Sequence, residues 1–400
     1  MAQLTLPVKG FRTAAVDAGL YASFGKPTRP DLTLVAADRP CTAAGMFTTN
    51  RVKAAPVILD ESRLKTHAAD IRAVLINTAS ANASTGADGL KHAELTAGWA
   101  AHALGCRPEQ VLVMSTGVIG VHLPMAQMDS GITKAAAALS GDQWDDAARA
   151  IMTTDTRPKM ATVVTPSGYT ITGIAKGAGM IAPNMATMLS LILTDAQIAP
   201  NDLQTALHAA VKVSFNRIVV DGDMSTNDTV LVLASGASGR TISGGETPDY
   251  SAFVDHLTHV CASLAEQIVR DGEGATKFIH LTVSGAAAEA DALQVANTIA
   301  TSALVKTAFY GGDPNWGRIL AAAGRSGVAL DQMKLSLWYD DLALVSAGTP
   351  LKYDEAKAKE IAGQANINVR LDLGMGEASA IVYTCDLSHD YVSINGHYRT

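Results

Sequence analysis

Short apolar, β-branched runs alternate along the chain with longer stretches in which apolar residues recur every three or four positions. "DLTLVAADRP", "AVLINTAS" and "VLVM" are of the first kind and predict strands. "KHAELTAGWAAHALG" is of the second kind and predicts a helix with a glycine stop. "PNDLQTALHAAVKV" opens on Pro-Asn-Asp and sets Leu203, Leu207, Ala210 and Val211 on one helical face. "SAFVDHLTHVCASLAEQIVRDGEG" does the same with Phe253, Leu257, Val260, Cys261, Leu264 and Ile268, and Gly272 ends it. Glu273 therefore follows a helix terminus. Such alternation predicts an α/β fold. Boundary signals lie in "SGASGRTISGGETPDY" and "SGAAAEAD", a smaller C-terminal lobe is expected to begin near residue 286, and the chain is read as a main domain (1–195), a middle α/β segment (196–285) and that lobe (286–400). The lobe holds the helix "DEAKAKEIAGQA" and a hairpin-like "INVRLDLGMGEASAIVYTCDL" with a glycine-rich turn.

Composition narrows the function. With 48% hydrophobic and 17% charged residues the chain has ample material for a core. A net charge of −7 offers no broad basic surface, so nucleic acid is not an expected partner. No apolar run reaches the roughly 18 residues of a membrane span, and "MAQLTLPVKGFRTAAVDAGLY" lacks a basic region followed by an apolar core. A cytoplasmic location is expected. Cys41, Cys106, Cys261 and Cys385 are far apart and form no C-x-x-C pair, which fits reduced thiols. His256 and His259 could share a helix face at a metal site, but no third ligand accompanies them, and no metal is expected.

The stretch "KGAGMIAPNMATMLSLILTDA" places Thr187 where a Pro-Asn turn runs into an apolar strand. In one reading Thr187 simply opens that strand as a β-branched residue. In the other, its hydroxyl attacks the Ala186 carbonyl, water opens the resulting ester, and a new N-terminal threonine appears. The freed α-amine, with an ordinary pKa of about 7.7 to 8.0, would then serve as the hydroxyl's general base. Gly177 and Gly179 permit unusual backbone angles just before the proposed bond. An acyl-transfer site also needs donors for an oxyanion, and "VLVMSTGVIG" offers Ser115, Thr116 and Gly117 at the end of a strand.

"STGVIG", "IMTTDTRPK", "KGAGMIAPNMATML", "SFNRIVVDGDMSTNDT", "DGEGATK", "LVKTAFYGGDPNWGR" and "YVSINGHYRT" together resemble the ornithine acetyltransferase (glutamate N-acetyltransferase) family of arginine biosynthesis. The likeness runs from about residue 10 to Thr400. It implies a layered α/β/β/α sandwich of the self-processing aminopeptidase type with a smaller α/β C-terminal lobe. It also implies cleavage between Ala186 and Thr187 into chains 1–186 and 187–400, with Thr187 as nucleophile. By the same resemblance Thr116 and Gly117 match the oxyanion pair, and Thr153, Lys176, Thr187, Glu273, Asn395 and Thr400 match substrate-binding positions. One block departs: Ala79 and Ser80 in "NTASANASTG" replace an expected Gly-Asn, and Ser84 replaces a cysteine. The implied partners are N-acetylornithine and glutamate, with the cleaved chains assembling as paired αβ units. No cofactor is expected, and acetyl-CoA stands as an open second acetyl donor. A self-processed amidase or aminopeptidase using water, and a non-catalytic metabolite binder, are the competing readings.

Overall fold

The computed structural model describes residues 7–182 and 188–397. Its strands are β1 (Phe11–Val16), β2 (Leu32–Phe47), β3 (Ile71–Asn77), β4 (Val111–Ser115), β5 (Lys159–Val164), β6 (Thr170–Lys176), β7 (Leu189–Thr194), β8 (Gln197–Ile198), β9 (Ile218–Val219) and β10 (Thr229–Ala234). They continue with β11 (Thr241–Ile242), β12 (Phe278–Ala286), β13 (Ser336–Tyr339), β14 (Leu342–Ser346), β15 (Thr349–Pro350), β16 (Asn366–Asp372) and β17 (Ala378–Cys385).

The larger sheet runs β4-β3-β2-β10-β7-β6-β5, with β1 also on β2. Its 16-residue strand β2 joins two layers. Residues 32–36 of β2 pair with β3, the register then shifts before Cys41, and residues 42–47 pair with β10. Side-chain alternation shows what the layers bury. Val74 and Ile76 of β3, and Leu112 and Met114 of β4, share a core with Leu189, Leu191 and Leu193 of β7 and Leu231 and Leu233 of β10. The intervening residues Ala73, Leu75, Val111 and Val113 face outward and pack against the Gly86–Leu104 and Met125–Ala137 helices. On the other side Ile192, Val230 and Val232 pack against the Pro200–Lys212 and Pro248–Arg270 helices. The result is helix, sheet, sheet, helix, the expected α/β/β/α sandwich.

The second sheet runs β15-β14-β13-β16-β12-β17-β9 and is covered by the Glu289–Ala300 and Glu355–Ala362 helices. Residues 196–285 contribute to both sheets, since β10 is central in the first while β9 and β12 belong to the second. The hairpin expected over "INVRLDLGMGEASAIVYTCDL" does not form. β16 and β17 each pair with β12, which lies between them, parallel to one and antiparallel to the other. The glycine-rich "LGMGE" connection steps across that strand, a span of about two inter-strand spacings or ~10 Å that five residues easily cover. A turn signal marks where a chain reverses but not what enters the gap.

The four cysteines are free thiols. The Nδ1 of His256 meets the Tyr169 hydroxyl at 2.9 Å. Among the described residues no helix is long and apolar enough to cross a membrane, and no cluster of three or more His, Cys, Asp or Glu residues could hold a metal.

Candidate active site

A cavity of about 250 Å³ opens where the larger sheet meets the loops and the C-terminal His389–His397 helix. Thr116, Gly117, Thr153, Lys176, Glu273 and Asn395 all line it, although the chain separates them by up to 279 residues (395 − 116). Ala186, Thr187 and Thr400 lie outside the described residues.

Thr116 and Gly117 leave the C-terminal end of β4. Gly117 has φ +134°, and a Cβ there would stand 2.3 Å from the Ala79 carbonyl carbon, so no larger residue fits. Val118 ties this turn to residues 79–81 twice: its N–H donates to the Ala79 carbonyl (3.1 Å), and its carbonyl accepts the Ala81 N–H (3.0 Å). The sequence departure falls at this contact. Ala79 adopts φ +73°, the left-handed conformation that glycine takes freely. An L-residue accepts this conformation at a cost of roughly 1–2 kcal/mol. Ser80 adds its own ties, donating from Oγ to the Val121 carbonyl at 2.9 Å.

Lys176 ends β6 opposite Leu189 of β7. Its buried Nζ donates to Thr116 Oγ1 at 3.2 Å. Burial is the largest influence on this ammonium and holds its pKa below the ordinary lysine value, against the opposing pull of Asp155. Beneath it lies a fully buried ion network: Lys159 Nζ donates to Asp155 and Asp271, each at 2.6 Å. Asp155 also accepts the Thr153 N–H (2.9 Å) and the Gly177 N–H (2.7 Å), so one carboxylate fixes the loop bearing Thr153 and the turn after Lys176.

Burial alone would raise the Asp155 carboxyl, but Lys159, Lys176 and the Gly177 N–H together hold it below its ordinary value. A carboxyl depressed in the folded state stabilises fully above its unfolded pKa of about 3.9, and that stability is lost as pH falls through the folded value. Asp155→Asn is therefore expected to lower stability by about 1–3 kcal/mol at pH 7. Urea unfolding should show that the deficit narrows below about pH 4.

Glu273 follows the Pro248–Arg270 helix, and its N–H donates to the Ala178 carbonyl at 2.8 Å. A Cβ on Gly179 would lie 2.3 Å from Glu273 Oε2, so glycine is what lets this carboxylate approach the loop. From the opposite wall Asn395 Nδ2 donates to Glu273 Oε2 at 2.8 Å.

Several residues at the cavity carry no recognisable chemistry in the sequence alone. Asp221 accepts the N–H groups of Met180 (2.6 Å) and Ile181 (2.8 Å), and Tyr391 donates its hydroxyl to the same carboxylate at 3.2 Å. Asn227 Nδ2 donates to the carbonyls of Ala81 (2.7 Å) and Ser115 (2.8 Å), joining the layers beside Thr116. The signal in the sequence is the polar run "DGDMSTND" directly after the apolar "IVV", a concentration of hydrogen-bonding groups at a strand end.

The ArgJ family model matches residues 12–400. The arginine biosynthesis bifunctional protein ArgJ of Geobacter sulfurreducens is 47% identical over 397 residues, covering 98% of this chain and 100% of the relative. That of Symbiobacterium thermophilum is 49% identical over 375 residues, covering 93% of each. Among solved structures, ArgJ from Bacillus halodurans is 42% identical over 51% of this chain and 96% of its own, with a TM-score of 0.49. Near-complete coverage in both directions at close to half identity settles the relationship, and the chain belongs to the ArgJ family, as an acyltransferase of arginine biosynthesis.

Proposed function

We propose that this enzyme moves the acetyl group of N2-acetyl-L-ornithine to L-glutamate through an acetyl-threonine, after cutting itself between Ala186 and Thr187. The observation that carries this reading is the convergence of Thr116, Gly117, Lys176 and Glu273 on one cavity beside β7, which begins two residues after "MAT". Among the described residues none accepts the Gly117 N–H, which leaves it available to an oxyanion.

In the first half-reaction the Thr187 α-amine takes the hydroxyl proton as Oγ1 bonds to the acetyl carbon. The Thr116 hydroxyl and Gly117 N–H stabilise the oxyanion. Collapse breaks the C–N bond, the amine returns its proton to the leaving nitrogen, and ornithine departs. In the second half-reaction glutamate's neutral amine attacks the ester by the same steps in reverse, giving N-acetylglutamate and free Thr187. Lys176 supplies the positive charge for an α-carboxylate, and Glu273 the negative charge for ornithine's side-chain ammonium.

Incubation with N-acetylornithine and no glutamate is expected to release one ornithine per active site and to add one acetyl group to the 187–400 chain. Continuous acetate release without glutamate would instead establish water as the acceptor. Glu273→Gln should raise KM for N-acetylornithine roughly 10-fold or more with little change in kcat, because a charge-assisted contact of about 1.5–3 kcal/mol is lost. Steady-state kinetics at saturating glutamate checks this. Acetyl-CoA is the proposed second donor, tested by glutamate-dependent thiol release. The cleaved chains are proposed to remain together as αβ units that pair.

A further inference from the structure

β12 and β17 run antiparallel with Phe278 opposite Cys385. One step beyond that pair, each chain segment enters a wall of the cavity: Lys277 is preceded by the loop bearing Glu273, and Asp386 is followed by the His389–His397 helix bearing Asn395. The antiparallel register thus delivers Asp386 to that loop. Asp386 is 2% exposed, and its carboxylate takes three donors there: Oδ1 accepts the N–H groups of Thr276 (2.8 Å) and Lys277 (2.9 Å), and Oδ2 accepts the Thr276 hydroxyl (2.6 Å).

Neither wall can hold itself. None of the described residues of the His389–His397 helix is buried, so apolar burial does not fix its place. The facing loop, "GEGA", has two glycines, and Gly274 sits at φ +67°, where a Cβ would stand 2.5 Å from the Tyr391 nitrogen. A backbone this permissive takes its shape from outside anchors. Ser388 supplies one, donating from Oγ to the Gly274 carbonyl at 2.6 Å. Lys306 steadies the strand end, its Nζ donating to Thr384 Oγ1 at 3.1 Å and its carbonyl accepting the Leu387 N–H at 3.2 Å.

We infer that Asp386 is a positioning residue for substrate recognition: by binding Thr276 and Lys277 it joins the loop to the base of the helix, and so sets Glu273 against Asn395 across the cavity. The inference rests on the proposed role of Glu273 as partner of ornithine's side-chain ammonium. Asp386 does not itself line the cavity, so its effect on substrate passes through the two residues it aligns. The Asn395 Nδ2 donation to Glu273 Oε2 at 2.8 Å is the contact that this alignment maintains.

Asp386→Ala, folded and cleaved, is expected to raise KM for N-acetylornithine about 5-fold or more while kcat stays within about 3-fold of native, since a displaced binding group costs affinity rather than chemistry. Combined with Glu273→Gln it should add little further, because both substitutions remove the same contact. Asp386→Asn should restore most of the native KM: its amide oxygen keeps the two backbone N–H groups, and the Thr276 hydroxyl can turn to accept from the amide nitrogen. A native KM in Asp386→Ala, or a double variant whose KM rise is the product of the single rises, overturns the inference. If Asp386→Ala does not fold or cut, Thr276→Val decides, since Thr276 is exposed and its replacement opens no core. A KM raised about 2-fold or more in Thr276→Val supports the inference, and an unchanged KM overturns it. Glu273→Gln with raised KM beside an unaffected Asp386→Ala defeats this inference alone, whereas a native KM in Glu273→Gln defeats the reading beneath it.

Discussion

Thr187→Ala is expected to remain one chain of 41.5 kDa, while the native sequence separates into 1–186 and 187–400. Intact mass under denaturing conditions distinguishes the two directly. Acetyl transfer should fall by on the order of 10³-fold or more, since nucleophile and base are lost together when neither the hydroxyl nor the new amine exists. The fold should persist: β7 begins two residues later, and its Leu189, Leu191 and Leu193 bury into the core between the sheets without help from the threonine. Cooperative unfolding at a near-native midpoint would thus accompany the uncut mass. A wild-type chain that is folded yet uncut would remove the proposed base and return Thr187 to the role of a strand residue.

Thr116→Ala is expected to keep KM near its native value and to lower kcat by about 10²–10³-fold, the loss typical of one oxyanion donor. The geometry makes this a clean substitution. Thr116 presents its hydroxyl beside Lys176 Nζ at 3.2 Å, and its backbone is held independently by donation of its N–H to the Asn77 carbonyl at 3.0 Å. Removing the hydroxyl leaves Gly117 and its turn intact, so ground-state binding through Lys176 and Glu273 should survive. Unchanged turnover in a cleaved Thr116→Ala enzyme would remove this residue from the oxyanion site.

Both predictions start from residues that the sequence made visible, and the reasons are local. Helical periodicity marked Leu203, Leu207, Ala210 and Val211, and all four are buried on one face of the Pro200–Lys212 helix. The apolar "VLVM" run marked β4, and the small polar residues after it marked the turn carrying Thr116 and Gly117. Family motifs then named Lys176, Glu273 and Asn395, which meet at one cavity from three separate parts of the chain.

What only the tertiary structure decided is which distant groups share a boundary. β2 reads as a strand, but its passage between two layers depends on β3 and β10, which lie on opposite sides of it in the sheet. β16 and β17 read as hairpin arms until β12 enters between them. Asp155, Lys159 and Asp271 are ordinary charges in the sequence, and burial together is what makes them a rigid support for Thr153 and Lys176. Ala79 likewise looked like a lost glycine, yet the turn against Val118 holds it at φ +73°. Periodicity, turn chemistry and motif spacing are properties of neighbouring residues and can be read along the chain. Strand partners, buried charge pairs and enforced backbone angles arise from long-range packing, which sets their free energies only once the layers have closed.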